Sequence, residues 1–415
     1  MTAAPTTFTG APATDVAAPE LLTMGAFLAT VAGRYGSAEA VVLDDPLRDG
    51  ATVRWSYDDV LASAQRIGRG LVAAGVEPGA FVAILMGNRP ESIAAIFGAA
   101  MVGAVAAPMS TFATRAELRQ LLDLCAPSAV LTQASLLGRD LLDDVADAST
   151  ALSEVRVTAA VGTPQWETLV DGGRSVTDAA FAHRCDAVRP TDPALVIFSS
   201  GTTGAPKGVL HTHRAPTLQF WVQAGVFGRD ATTRMFSALP IFWTAGLNTA
   251  VGATLAAGGC WVAQETFDAR TALPLLARER VTEPYTLPHQ TAAIAEQPEW
   301  LATDLSAIRC ASGKGAYARH PVVRPDPSWI MPVGYGMSET CAFVAGYAST
   351  ESREQVRLGH GRLLPGTRLR VLDPESGTPL GPGQAGELAV AGDTLMLGYL
   401  GRDPASCFDE DGWFH

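Results

Sequence analysis

The sequence predicts an α/β protein in which two mostly parallel β-sheets are layered with helices and joined to a smaller β-rich, barrel-like subdomain. Three features predict it. Helical and strand patterns alternate through the first half of the chain, as a parallel sheet covered by helices requires. A second alternating stretch begins with the apolar run at residues 194–198 and continues to about Thr340. After Gly346 the texture changes: Gly and Pro become dense and only short β-like pieces remain. The expected division is a flexible tail over 1–19, a first α/β subdomain over 20–190, a second over 191–345 and the β-rich subdomain over 346–415.

Each element has its own signal. Ala, Thr and Pro dominate up to Pro19, which reads as a loose tail. Tyr57, Leu61, Ala64, Ile67, Leu71 and Val72 recur at helical spacing, and Gly75 ends that helix. Residues 81–86 form a short, continuous apolar run, the pattern of a buried parallel strand. A small-residue helix over 90–103 and a strand over 104–108 follow. Thr114 with Glu117 forms a capping-box pattern that opens a helix towards Leu124. Residues 129–132 supply the next strand, and 368–372 and 387–390 supply the short β pieces of the last part.

Composition narrows the function classes. Of the 415 residues, 30 are basic and 42 acidic, a formal net charge of −12 that gives no attraction for a nucleic acid. Hydrophobic residues make up 47% of the chain, enough for a large core. Among the basic residues only Lys207 and Lys314 are lysine, so each marks a place where a compact ammonium does what a guanidinium does not. Six scattered Cys with no C-x-x-C pair read as reduced thiols of an intracellular, cytoplasmic protein and not as a disulfide framework or zinc site. No basic residue precedes Arg34, so the charged start of a signal peptide is missing. Residues 235–264 carry no charge, but Pro240, Gly246, Gly252, Gly258 and Gly259 interrupt them. They read as a loop, a buried helix and a strand, not a transmembrane span.

The chemistry is concentrated directly after the strand at 194–198. There the string S-S-G-T-T-G-A-P-K-G, residues 199–208, sets three Gly, four hydroxyl residues and Lys207 in ten positions. Gly lets backbone N–H groups approach an oxyanion, hydroxyls add donors and Lys adds a point charge. Pro206 before the Lys and Gly208 after it separate the string from the G-x-x-x-x-G-K-S/T phosphate loop.

That string resembles the phosphate-loop signature of the adenylate-forming superfamily, which includes acyl-CoA synthetases, aryl-CoA ligases, luciferases and peptide-synthetase adenylation domains. Other segments resemble the same family in the same order. They are W-S-Y at 55–57, G-V-E-P-G at 75–79, G-Y-G-M-S-E-T at 334–340, a G-R-x-x-P-G turn at 361–366, and G-E-L from Gly386 followed by Gly392, Met396, Gly398 and Tyr399.

The resemblance implies an enzyme that joins a carboxylic acid to the α-phosphate of ATP, with Mg²⁺, and then passes the acyl group to coenzyme A. It implies that Ser199, Ser200, Gly201, Thr202, Thr203, Gly204 and Lys207 hold the phosphates, and that Glu339 holds Mg²⁺. Tyr335 would offer a flat face to the adenine, Gly334 and Gly336 would belong to the same nucleotide site, and Ser338 would meet the α-phosphate in place of the family's usual Thr. Gly315 and Ala316 resemble the second half of a G-G-A adenine-contact segment whose first Gly is replaced by Lys314. Lys207, Ser338 and Glu339 are thus the expected catalytic residues. His211 and His213 follow the loop where relatives carry a T-H element. With no acid or Cys near them in sequence, a structural role is expected and not a metal.

For the acid, Trp221, Trp243, Thr244, Gly246, Gly313 and Gly334 are the expected pocket residues. Trp243 stands where relatives often carry a His, and it cannot titrate. The uncharged run over 235–264 offers no Asp for an amino group, which favours a fatty or alicyclic acid, with an aromatic acid as rival. In relatives the final string Gly412-Trp-Phe-His415 continues into T-G-D, a hinge and a small C-terminal domain with a further Lys. The expectation is a chain that binds nucleotide and acid but adenylates poorly and transfers to coenzyme A hardly at all. Delivery to a carrier-protein thiol, aryl-CoA ligation and a non-catalytic acyl-adenylate-binding remnant stay open beside the leading reading, as does a homodimer.

Overall fold

Seven strands form the larger sheet of the computed structural model, which describes residues 6–17, 21–149, 154–200, 206–311, 315–356 and 359–415. Its parallel block runs in the order Pro193–Ser200, Val105–Pro108, Phe81–Leu85, Ala129–Gln133 and Val157–Val161. Strand Pro206–Thr212 and the two-residue strand Gly398–Tyr399 extend it on one side, both antiparallel. In the second sheet Glu283–Pro284, Arg234–Ser237, Cys260–Ala263 and Glu39–Asp45 run parallel, and Ala51–Ser56 closes it antiparallel.

Alternation along the strands sorts the core into layers. Val82, Ile84, Val41, Leu43, Met235 and Trp261 join one large cluster with helices Met24–Tyr35, Tyr57–Ala73 and Pro90–Met101. Ala83, Leu85 and Val130 point to the opposite face, under helices Arg115–Cys125 and Leu141–Ser149. Val42, Phe236 and Val262 meet helix Ala269–Arg278 on the outer face of the second sheet. The result is helix, sheet, helix, sheet, helix, with both sheets buried on both faces, which is why their strands read as unbroken apolar runs.

Local signals produce the elements they predict. The helix from Tyr57 is closed by a Ser56–Asp59 capping box at one end and is followed by Gly75 at φ 79°. The Thr114–Glu117 capping box is present. The uncharged run becomes strand, buried helix and strand, with a π-helical stretch over Ala245–Gly252 leading into Ala253–Ala256. No helix among the described residues is long and apolar enough to cross a membrane. All six Cys are free thiols.

The expected divisions need correction. Residue 190 does not separate the sheets, because each takes strands from both sides of it: Leu195 pairs with Ala106, and Trp261 with Val41. Parallel neighbours are joined by crossovers, so sequence proximity does not set partnership. The tail is also not loose throughout. Phe8–Thr9 pairs with Leu369 and Arg368, and Val16 packs near Leu22, Leu218 and Leu364. In the β-rich part, Phe8–Thr9, Thr367–Leu372 and Glu387–Gly392 make one open sheet. Gly334–Met337, Ala342–Gly346 and Arg362–Leu363 make another, and no closed barrel forms among the described residues.

Candidate nucleotide and acid site

The described ends of the Ser/Gly/Thr string lie on two antiparallel strands, Pro193–Ser200 and Pro206–Thr212. Strand Pro193–Ser200 carries buried Ala194, Leu195, Val196 and Ile197 to the C-terminal edge of the parallel block, where ligands of open α/β sheets bind. Ser199 pairs with Lys207, and Ser200 with Pro206. Gly201, Thr202, Thr203 and Gly204 lie outside the described residues, as do Gly313 and Lys314.

Lys207 is placed by that pairing, and its Nζ lies 5.3 Å from the ring centroid of Tyr399. The Tyr399 hydroxyl donates to Glu339 Oε1 at 2.7 Å. Burial and the Glu339 hydrogen bond both raise the pKa of this phenol, so it stays a donor at neutral pH. Met396 N–H donates to the Glu339 carbonyl at 2.8 Å. Lys207 and Glu339, 132 residues apart in sequence, therefore meet on one ring. The sequence flagged Gly398 and Tyr399 as part of a motif but assigned the Tyr no role.

Glu339 sits in the short turn Ser338–Thr340 between two paired strands. The turn ends on Cys341 at φ 58° and Ala342 at φ 132°, conformations that cost a non-Gly residue energy. Three contacts hold them. Asn248 Nδ2 donates to the Cys341 carbonyl, Thr340 Oγ1 donates to the Ala342 carbonyl at 2.8 Å, and Met337 N–H donates to Thr340 Oγ1 at 3.1 Å. Gly336 is required beneath the turn, because a Cβ there would collide with the Ala342 carbonyl oxygen. Gly334 is tight against Ala345 and the Phe343 ring, and Tyr335 lies edge-on to His360, with ring centroids 6.3 Å apart.

The two histidines after the loop bond to backbone. His211 Nε2 donates to the Ser338 carbonyl at 2.8 Å, and His213 Nδ1 accepts from Met24 N–H at 3.3 Å. Burial pushes both imidazoles down to about 4, so both are neutral at pH 7.

Phe112, Phe242 and Trp243 form a trio of edge-on rings with centroids 5.5–6.3 Å apart. It borders two cavities. One, of about 250 Å³, reaches Ser199 and Pro206. The other, of about 340 Å³, lies where strands of both sheets end, lined also by Asn88, Glu265 and Leu287. Glu265 is not a free charge there. It accepts from Arg89 at 2.8 Å and Gln133 at 3.0 Å, and Arg89 also binds Asp45 and Glu91, each at 3.0 Å. Phe112, 63% exposed, carried no signal in the sequence.

The remaining expected pocket residues do not all gather here. Thr244 is half-buried beside Trp243, while Gly246 is packed under the Pro240 carbonyl, with no room for a Cβ. Trp221 lies elsewhere, packed edge-on to Phe27 at 5.1 Å with Arg34 over its ring. Gly315 and Ala316 open the helix Ala316–Arg319 and line a separate cavity of about 550 Å³ with Met331, four residues before Tyr335.

Comparison with known proteins bears on this arrangement. Residues 28–400 match the AMP-binding enzyme family. The indoleacetate–CoA ligase of Aromatoleum aromaticum is 29% identical over 366 residues, covering 86% of this chain and 69% of that protein. The 4-coumarate–CoA ligase 3 of Oryza sativa subsp. japonica is 30% identical over 391 residues, covering 89% and 67%. The chain thus spans about two thirds of the length of these relatives. The crystal structure of the N-terminal domain of FACL13 from Mycobacterium tuberculosis matches with a TM-score of 0.72 at 24% identity and 95% coverage of each chain, a shared fold. The chain belongs to the AMP-binding enzyme family, among the adenylate-forming acyl- and aryl-CoA ligases.

Proposed function

We propose that the chain binds ATP and an apolar carboxylic acid around Lys207 and Glu339 and joins them as an acyl-adenylate, whose acyl group then passes to the thiol of coenzyme A. In the first step a carboxylate oxygen attacks the α-phosphorus, the α–β bridging P–O bond breaks, and pyrophosphate leaves with the electron pair. Two anions must approach each other, so the protein's part is to supply fixed positive charge and aligned donors.

The observation that carries the reading is the meeting of Lys207 and Glu339 at Tyr399. Lys207, with Ser199 and Ser200 at the end of the neighbouring strand, would hold phosphates, and the Ser338 hydroxyl would meet the α-phosphate. Glu339 would hold Mg²⁺. One of its oxygens is taken by Tyr399 and the other has no partner among the described residues. A lone carboxylate suits Mg²⁺, which binds through one or two carboxylates with substrate phosphates and water, and no cluster of three donors occurs among the described residues. When bound, the ion neutralises phosphate charge.

The uncharged run over 235–264 supports an apolar acid. The relatives' names, an indoleacetate and a 4-coumarate ligase, support testing aryl acids first, with fatty acids as the rival class. The test is thermal stabilisation by non-hydrolysable acyl-adenylate mimics with aryl, short-chain and long-chain acyl groups. A ligand at a hundred times its Kd stabilises by about 2.7 kcal/mol. The expected result is a rise in Tm that is largest for aryl mimics. No rise with any mimic, from folded protein, would contradict the proposal.

A further inference from the structure

We infer that Tyr399 is a positioning residue that keeps Lys207 and Glu339 apart and separately available before nucleotide binds; this rests on the nucleotide-site reading above. Its backbone is fixed by both partners' elements. Val209 pairs with Tyr399, Leu397 N–H donates to the Leu210 carbonyl at 2.7 Å, Leu400 N–H donates to the Gly208 carbonyl at 2.8 Å, and Met396 N–H donates to the Glu339 carbonyl at 2.8 Å. The short strand therefore stitches the strand that carries Lys207 to the Glu339 turn, with Gly398 at φ 142° allowing the chain to pass between them.

The side chain then divides its two faculties. The hydroxyl engages one Glu339 oxygen at 2.7 Å and fixes the carboxylate's orientation. The ring face draws Lys207 Nζ to 5.3 Å, and Arg402 Cζ lies at the same distance from the ring centroid. No ion pair joins Lys207 to Glu339 among the described residues. Without that side chain, the ammonium and the carboxylate that it engages would be released to pair with each other. The Lys would then be masked from phosphates and the Glu from a metal.

Calorimetric titration of ATP, with and without Mg²⁺, tests the inference on four variants. Tyr399→Phe keeps the ring and loses the hydroxyl. Its Mg²⁺ midpoint for ATP binding should rise 3- to 10-fold while Mg²⁺-free ATP affinity stays within twofold. Tyr399→Ala loses both, and its Mg²⁺-free ATP affinity should fall at least fivefold as Lys207 pairs with Glu339. Adding Glu339→Gln to Tyr399→Ala should then restore Mg²⁺-free affinity, a rescue that a merely structural Tyr would not give. A parent-like Mg²⁺ midpoint in Tyr399→Phe, or no rescue in the double variant, overturns the inference. Lys207→Ala in the parent background separates the two levels. If it leaves ATP affinity unchanged, the site reading fails and takes this inference with it; if it weakens ATP while the Tyr399 variants behave as parent, only this inference falls.

Discussion

His211 donates its Nε2 proton to the carbonyl oxygen of Ser338 at 2.8 Å, tying the strand that carries Lys207 to the turn that carries Glu339. Burial keeps the imidazole neutral by pushing the group down to about 4, against the Ser338 hydrogen bond, which acts in the opposite direction. Its neighbour His213 is held at about 4 for the same reason.

A pH dependence follows. Both groups are neutral when folded, whereas the unfolded chain takes up protons near pH 6.5. Their contribution is therefore intact above 6.5 and is lost as pH falls from 6.5 towards 4. Between pH 7 and pH 5 the loss is about 2 kcal/mol per histidine. Urea unfolding at the two pH values checks it. The difference in stability between parent and His211→Asn should shrink by about that amount on acidification, and a difference independent of pH would contradict it.

Gly336→Ala should disrupt the Glu339 turn, because the added Cβ collides with the Ala342 carbonyl, which is backbone and cannot swing aside. The expected cost is about 1–3 kcal/mol of stability, with Mg²⁺-dependent ATP affinity falling at least tenfold. Denaturation and calorimetry on the same sample read both. An unchanged ATP affinity would mean that the turn is not part of the site.

Arg89 is the shared cation of Asp45, Glu91 and Glu265, and it is fully buried where the strands of both sheets end. Arg89→Met leaves Asp45 and Glu91 with the half-exposed Arg48, at 3.3 and 3.7 Å, and Glu265 with the neutral Gln133 amide, in place of the lost cation. The cost should be about 3–5 kcal/mol, against less than about 1 kcal/mol for Arg48→Ala. Equal effects of the two variants in chemical denaturation would refute this ranking.

The sequence showed local geometry well and long-range partnership poorly. Thr114 and Glu117 act within one turn, so their spacing alone specifies the cap. The apolar run that leads to Ser199 likewise declares a buried strand. Lys207 and Glu339 were legible as motif members, but their meeting at one ring was not, because it depends on Tyr399 joining the sheet from nearly 200 residues away. The pairing of Phe8 with Leu369 was hidden for the same reason. Trp221 illustrates a second limit. Its helix Arg214–Phe227 buries residues on almost every side, so no periodicity indicates which neighbour a given side chain meets.

The most direct test of the central claim is whether nucleotide and acid share one site at Lys207 and Glu339. An aryl acyl-adenylate mimic is titrated calorimetrically into the protein, alone and in saturating ATP with Mg²⁺. A shared site predicts competition: at ATP a hundred times its own Kd, the apparent Kd of the mimic rises about a hundredfold, which is about 2.7 kcal/mol. Equal mimic affinity with and without ATP would contradict it.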